Sequence, residues 1–203
     1  MDQYRCPPEE LPRYLYRVRY PESQTRHTAE GLTAADTTTV YGDNEHQRGL
    51  FRQAVEKHFT SSDRDSSLFI SLFSDRDHAE NWAYMELWHS RWSENWTLCT
   101  IDTSLLNEVY VFKVSTLVDE LRVEIPPQAE QHKKGAYICL HRVPQHAILK
   151  EEPVQEVKRR SLALDYHDDN HNDDDHWDPY YGYDSDDSAV VNNINDNLMR
   201  ALE

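Results

Sequence analysis

The chain has 203 residues, of which 38% are apolar, with a mean hydropathy of -0.86 and a formal net charge of -16. That length fits one domain with a tail. No basic block stands out, which argues against a surface for nucleic-acid phosphates.

The charge is unevenly placed. From Ser161 to the end there are 12 acidic residues and one basic one, Arg200, whereas residues 1–160 carry 25 acidic and 20 basic residues. A mildly acidic body therefore leads into a strongly acidic, solvated tail, expected to be disordered. Cys6, Cys99 and Cys139 are odd in number and widely spaced, with no CxxC. This argues against a disulfide framework and against a thiolate zinc site. Cys99 and Cys139 lie in apolar, strand-like runs and are expected to be buried. The N-terminus lacks a basic region followed by an apolar one, and no run approaches the ~20 apolar residues of a membrane helix. A cytoplasmic or nuclear location is the expectation. Asn95-Trp96-Thr97 fits a glycosylation pattern, which has meaning only in a secreted chain.

In chain order, residues 1–13 read as a capping arm with prolines at 7, 8 and 12. Leu15 to Tyr20 alternates and predicts a first strand. Residues 21–47 are polar and turn-rich, and predict an irregular excursion anchored near Gly31. Leu50, Phe51, Ala54, Val55 and His58 recur at helical spacing, so an amphipathic helix is predicted over 49–59. Leu68–Phe73 is a strand that ends in Ser71 and Ser74. Asp75 or Asp77 caps the next helix, which buries Ala79, Trp82, Ala83 and Leu87. Thr97–Thr103, Val109–Val114 and Tyr137–Val143 predict strands, with a short helix or turn at 117–123 and a last short strand at 147–149. The domain is expected to span 14–150. An acidic low-complexity segment follows over 151–188, and a short amphipathic helix over 189–203. Helices early and strands late, without βαβα alternation, predict an α+β domain with mostly antiparallel sheet.

The motifs exclude several chemistries. Neither GxGxxG nor GxxxxGK[ST] occurs among only five glycines, and neither GxSxG nor HExxH is present. His167, His171 and His176 sit among tail aspartates, but a rigid metal site needs apolar support that this segment lacks. His78 and His89, eleven residues apart, face different ways on one helical stretch. Asp102 and Glu108 read as solvated turn carboxylates.

Four motifs carry a resemblance. LYRV at 15–18, EGLTAAD at 30–36, FISLFSDRDHAENWA at 69–83 and YICLHRVPQHAI at 137–148 resemble, in order and spacing, the pattern of ADP-ribosyltransferase-fold proteins. The similarity is to an uncharacterised fungal group of such domains, and it covers roughly residues 13–150. It implies that Arg17 contacts the pyrophosphate or ribose side of NAD, a role suited to a guanidinium. It also implies that Ser71 shapes the nicotinamide-ribose site, with Phe69 and Trp82 packed beneath. The family's glutamate would precede Tyr137, where this chain has Gly135 and Ala136. Glu130 is the nearest upstream carboxylate, about 20 Å away along an extended strand. The resemblance thus implies an ADP-ribosyltransferase-like domain with inefficient or lost transferase activity and an NAD or nucleotide cleft between the Arg17 and Ser71 strands. One alternative is a non-catalytic module that binds protein through the cleft, the acidic tail or the last helix. Four of the 12 tyrosines lie between Tyr166 and Tyr183, a composition that suits such contacts. Another alternative is an active transferase or NAD glycohydrolase with Glu130 as its catalytic carboxylate.

Overall fold

The computed structural model describes residues 1–21, 23–60, 67–88, 95–125, 133 and 135–165. Its largest unit is a six-stranded sheet in the order β6-β7-β4-β1-β5-β9, every pairing antiparallel. The strands are β1 (Tyr14–Arg19), β4 (Phe69–Phe73), β5 (Thr97–Asp102), β6 (Val111–Lys113), β7 (Ala136–Leu140) and β9 (Ile148–Pro153). A second antiparallel sheet joins β2 (Arg26–Thr28), β3 (Gly31–Thr33) and β8 (Arg142–Pro144). The helices are α1 (Glu45–Thr60), α2 (Arg76–Trp88), α3 (Val114–Leu121) and α4 (Val154–Asp165). Among the described residues no helix is long and apolar enough to cross a membrane.

Alternation along the strands builds two cores. One face of the large sheet carries Val18, Phe69, Phe73, Leu98, Phe112 and Ile138. These pack against Phe51, Val55 and Phe59 of α1, Ala79 and Ala83 of α2, and Val154 and Val157 of α4. The other face carries Leu15, Ile70, Leu72, Ile101 and Cys139, and is covered by Leu32 of β3 and Val143 of β8. Helices, large sheet and small sheet form three layers, the α+β arrangement that the sequence predicts. On α3, Val114, Leu117, Val118 and Leu121 are buried at i, i+3, i+4 and i+7. Burying each such side chain is worth about 1.5–3 kcal/mol.

The turn near Gly31 is a hairpin rather than an irregular excursion. β2 and β3 pair over three residues each, and β3 pairs β8 through Gly31↔Pro144. Gly31 has φ 119°, and a Cβ there would lie 2.1 Å from Val143 O. The left-handed backbone and the close approach both require glycine.

Other boundaries move. The strand predicted over 109–114 is β6 alone, because Val114 already begins α3. The short strand at 147–149 becomes β9, which continues through Pro153, and α4 follows. Structure therefore extends beyond residue 150, into the segment expected to be an acidic exit. The arm of residues 1–13 contributes two 3₁₀ turns and buries Met1, Tyr4 and Cys6. Cys99 and Cys139 are buried in strands, as expected. The expected tail and last helix, with His167, His171 and His176, fall outside the described residues, as does His89.

Candidate functional site

The large sheet is held unevenly at its centre. β1 pairs with β5 over six residues and β4 with β7 over five, but β1 meets β4 only at Tyr16↔Phe73. Arg17 fills the resulting split. Its side chain leaves on the small-sheet face with only 2% exposure. A buried guanidinium needs acceptors. Nη1 donates to the Ser71 carbonyl at 3.1 Å, and Nη2 donates to Ser23 Oγ at 2.9 Å and to Thr25 Oγ1 at 3.1 Å.

Ser71 is also buried, and its side chain leaves the sheet on the helix face. Its Oγ lies 3.1 Å from Nε2 of His58 on α1. Nδ1 of His58 lies 2.8 Å from Ser67 Oγ, which accepts the Phe69 N–H at 3.1 Å. Phe59 and Phe69 meet the imidazole edge-on. Burial first, and the Arg17 charge second, push the His58 pKa down to about 3. The ring is neutral at physiological pH. The sequence marks His58 only as a helical-face residue. A histidine on an otherwise apolar face was the available signal of a buried polar contact.

The structure thus joins Arg17 and Ser71 through the Ser71 main chain and sends their side chains to opposite faces. Ala136 stands opposite Phe73 in the register and is buried at 1% exposure. Glu130 lies outside the described residues, and so does the side chain of Trp82. The Arg17 donors are turned onto the Ser71 carbonyl, Ser23 Oγ and Thr25 Oγ1, inside the protein.

The strand-to-helix junction carries its own carboxylate. Asp75 Oδ1 accepts the His78 N–H at 3.1 Å, so a carboxylate already caps α2. Ser74 Oγ donates to the Gly135 carbonyl at 3.1 Å. Burial lowers the His78 pKa, against the Asp75 charge.

Two further charge clusters hold elements together. Arg19 Nη2 bonds Glu151 at 3.1 Å while Nη1 lies 2.9 Å from His27 Nδ1, tying β1 to β9 and β2. On the helix face Glu80 and Glu152 are buried at 7% and 2% exposure. Glu152 accepts from Arg76 at 2.7 Å, Lys150 at 2.8 Å and Arg160 at 2.6 Å. Glu80 accepts from Arg76 at 2.7 Å and also from Arg160. Burial would raise the Glu152 pKa, but hydrogen bonds from Lys150 and Arg76 outweigh it, and the net shift is downward. Asp102 is buried rather than solvated: it accepts from Ser104 N at 3.0 Å and from Arg13 at 3.0 Å. Glu108 is exposed. Among the described residues no three His, Cys, Asp or Glu side chains gather closely enough to hold a metal.

No curated protein matches the sequence. Solved structures similar to the chain include EcPltA, with 12% identity and a TM-score of 0.45 over 68% of this chain and 74% of that one. Also similar is Thermus sp. 2.9 DarT in complex with NAD+, with 9% identity and a TM-score of 0.41 over 80% of this chain and 92% of that one. A further DarT structure, in complex with ADP-ribosylated ssDNA, has 10% identity and a TM-score of 0.41 over 77% of this chain and 88% of that one. A family model matches residues 10–157, and the chain belongs to that family, described as Domain of unknown function (DUF7587).

Proposed function

We propose that the chain is an ADP-ribosyltransferase-like domain whose expected ligand-binding residues serve the fold, and that it lacks efficient transferase activity. One observation carries this reading. The Arg17 guanidinium, 2% exposed, bonds Ser71, Ser23 and Thr25 within the split between β1 and β4. An arginine that grips a pyrophosphate must present its fork to the ligand. Here the fork closes a gap in the sheet. The Ser71 hydroxyl is turned towards His58 on the other face. Ala136 adds to the argument, since a buried methyl group stabilises no oxocarbenium-like ribose.

Two consequences follow for binding. An anion reaches Arg17 only if Ser23 and Thr25 release Nη2. Binding of a protein partner is then the use that the domain retains without catalysis. The test is nicotinamide release from millimolar NAD+, followed by proton NMR with the full chain. No release above the rate in buffer is expected. Turnover that is abolished by Arg17→Ala and by Glu130→Gln would establish the active enzyme instead.

A further inference from the structure

The outward face of the small sheet carries a row of cations. Arg26 of β2 stands opposite Thr33 of β3, and Thr33 stands opposite Arg142 of β8. Strand parity puts these three side chains on one face, since Leu32 and Val143, one position along, are buried on the other. Ala34 N donates to His141 O at 2.7 Å, and Gln145 N donates to Glu30 O at 2.9 Å. Thr33 and Arg142 therefore form a non-hydrogen-bonded pair, the kind in which opposed side chains lie closest. Two strand spacings set the arginine backbones about 10 Å apart, so both guanidinium arms can converge above the Thr33 hydroxyl.

These arginines differ from others in the domain. Arg13, Arg17, Arg19, Arg76 and Arg160 all donate to protein acceptors. Arg26 and Arg142 are exposed, and neither donates to a protein acceptor among the described residues. Glu30, in the turn between β2 and β3, forms an ion pair with neither. The Asp36 carboxylate is taken up by Thr38 and Thr39.

Charge and chain path identify an occupant. Residues 161–203 carry 12 acidic residues and one basic one, with Asp168, Asp169, Asp173, Asp174 and Asp175 in a single short run. The chain reaches that run from α4, which directly follows the edge strand β9. β2 lies at the same edge: His27 Nε2 is 3.5 Å from Glu151 of β9, and Arg19 bonds both residues. Ten residues beyond Asp165 span up to about 33 Å when extended, enough to pass an edge where packed layers lie about 10 Å apart. Carboxylates two residues apart, such as Asp173 and Asp175, fall on one side of an extended chain about 7 Å apart. Guanidinium forks take carboxylates bidentately, and a tether supplies them at about millimolar effective concentration.

We propose that the acidic run of residues 168–175 docks on the Arg26–Thr33–Arg142 row of its own chain and covers the outward face of the small sheet. None of these residues belongs to the Arg17 site, so the inference stands whether or not NAD binds.

The test is paramagnetic relaxation in NMR of the full chain, with a nitroxide on the thiol introduced by Asn172→Cys. Cys6, Cys99 and Cys139 are buried, which directs the label to the new thiol. The amides of Arg26, Thr33 and Arg142 are expected to lose intensity and to regain it when the nitroxide is reduced. Arg26→Gln combined with Arg142→Gln should abolish the loss, and both side chains are exposed, so the fold is kept. A mixture of isotope-labelled chain without nitroxide and unlabelled chain with it should show no loss. Loss in that mixture would assign the row to a second copy and overturn the proposal. Loss confined to Lys158 and Arg159 of α4, no loss at the row, or a loss undiminished in the double variant would overturn it as well.

Discussion

His58 shows how one buried side chain sets a measurable property of the fold. Its pKa is about 3 in the folded protein, against about 6.5 in an unfolded chain. Below pH 6.5 the unfolded state takes up a proton that the native state refuses. The contribution of this group is therefore complete above about pH 6.5 and declines as pH falls towards 3, by about 1.4 kcal/mol per unit. Urea titrations at a series of pH values should show this slope, and His58→Gln should remove about one proton from it. An unchanged slope in His58→Gln would place the acid sensitivity elsewhere. Residue types alone did not reveal the His58–Ser71 contact, because it joins a helix to a strand 13 positions away. Arg17 and Ser71 were legible as members of one central region. Their departure on opposite faces follows from strand parity combined with the β1–β4 register, and a single sequence does not specify that register. Asp102 was misread because a carboxylate two residues before Ser104 caps a 3₁₀ turn from a buried position, although its composition suggests a solvated loop.

At the scale of elements, periodicity gave β1, β4, β5, β7 and α1, since each carries enough apolar residues to show its period. The hairpin of β2 and β3 was hidden because its strands have three residues each and the first is polar throughout. Residues 151–160 were hidden for a different reason. Their charges suggest a solvated exit, yet Glu152 is buried by pairing with cations from three elements: Arg76 on α2, Lys150 on β9 and Arg160 on α4. Removing the carboxylate leaves Arg76 and Arg160 sharing Glu80. Glu152→Ala should cost about 2–3 kcal/mol in urea denaturation, below the ~3–5 kcal/mol for a fully buried broken pair, since Arg76 and Arg160 keep about a third of their exposure. Glu152→Gln should recover part of the loss. A cost near zero for Glu152→Ala would show that α4 docks through Val154 and Val157 alone.

At the scale of the molecule, the sheet consists of two three-stranded halves, β6-β7-β4 and β1-β5-β9, meeting at a narrow seam. Arg17 bridges that seam from within. The motifs of the resemblance fall in both sheets: LYRV is most of β1, the FISLF run is β4, YICLHRVPQHAI spans β7, β8 and the start of β9, and EGLTAAD holds β3 of the small sheet. A guanidinium can serve either a phosphate or, as here, a carbonyl and two hydroxyls. The two uses exclude each other at a given moment, which makes the claim testable by binding alone. The decisive measurement is the melting temperature of the full chain as NAD+ is raised to millimolar concentration, since any ligand that prefers the native state must raise it. A structural Arg17 predicts no shift. A saturable rise in melting temperature that Arg17→Lys abolishes would contradict it.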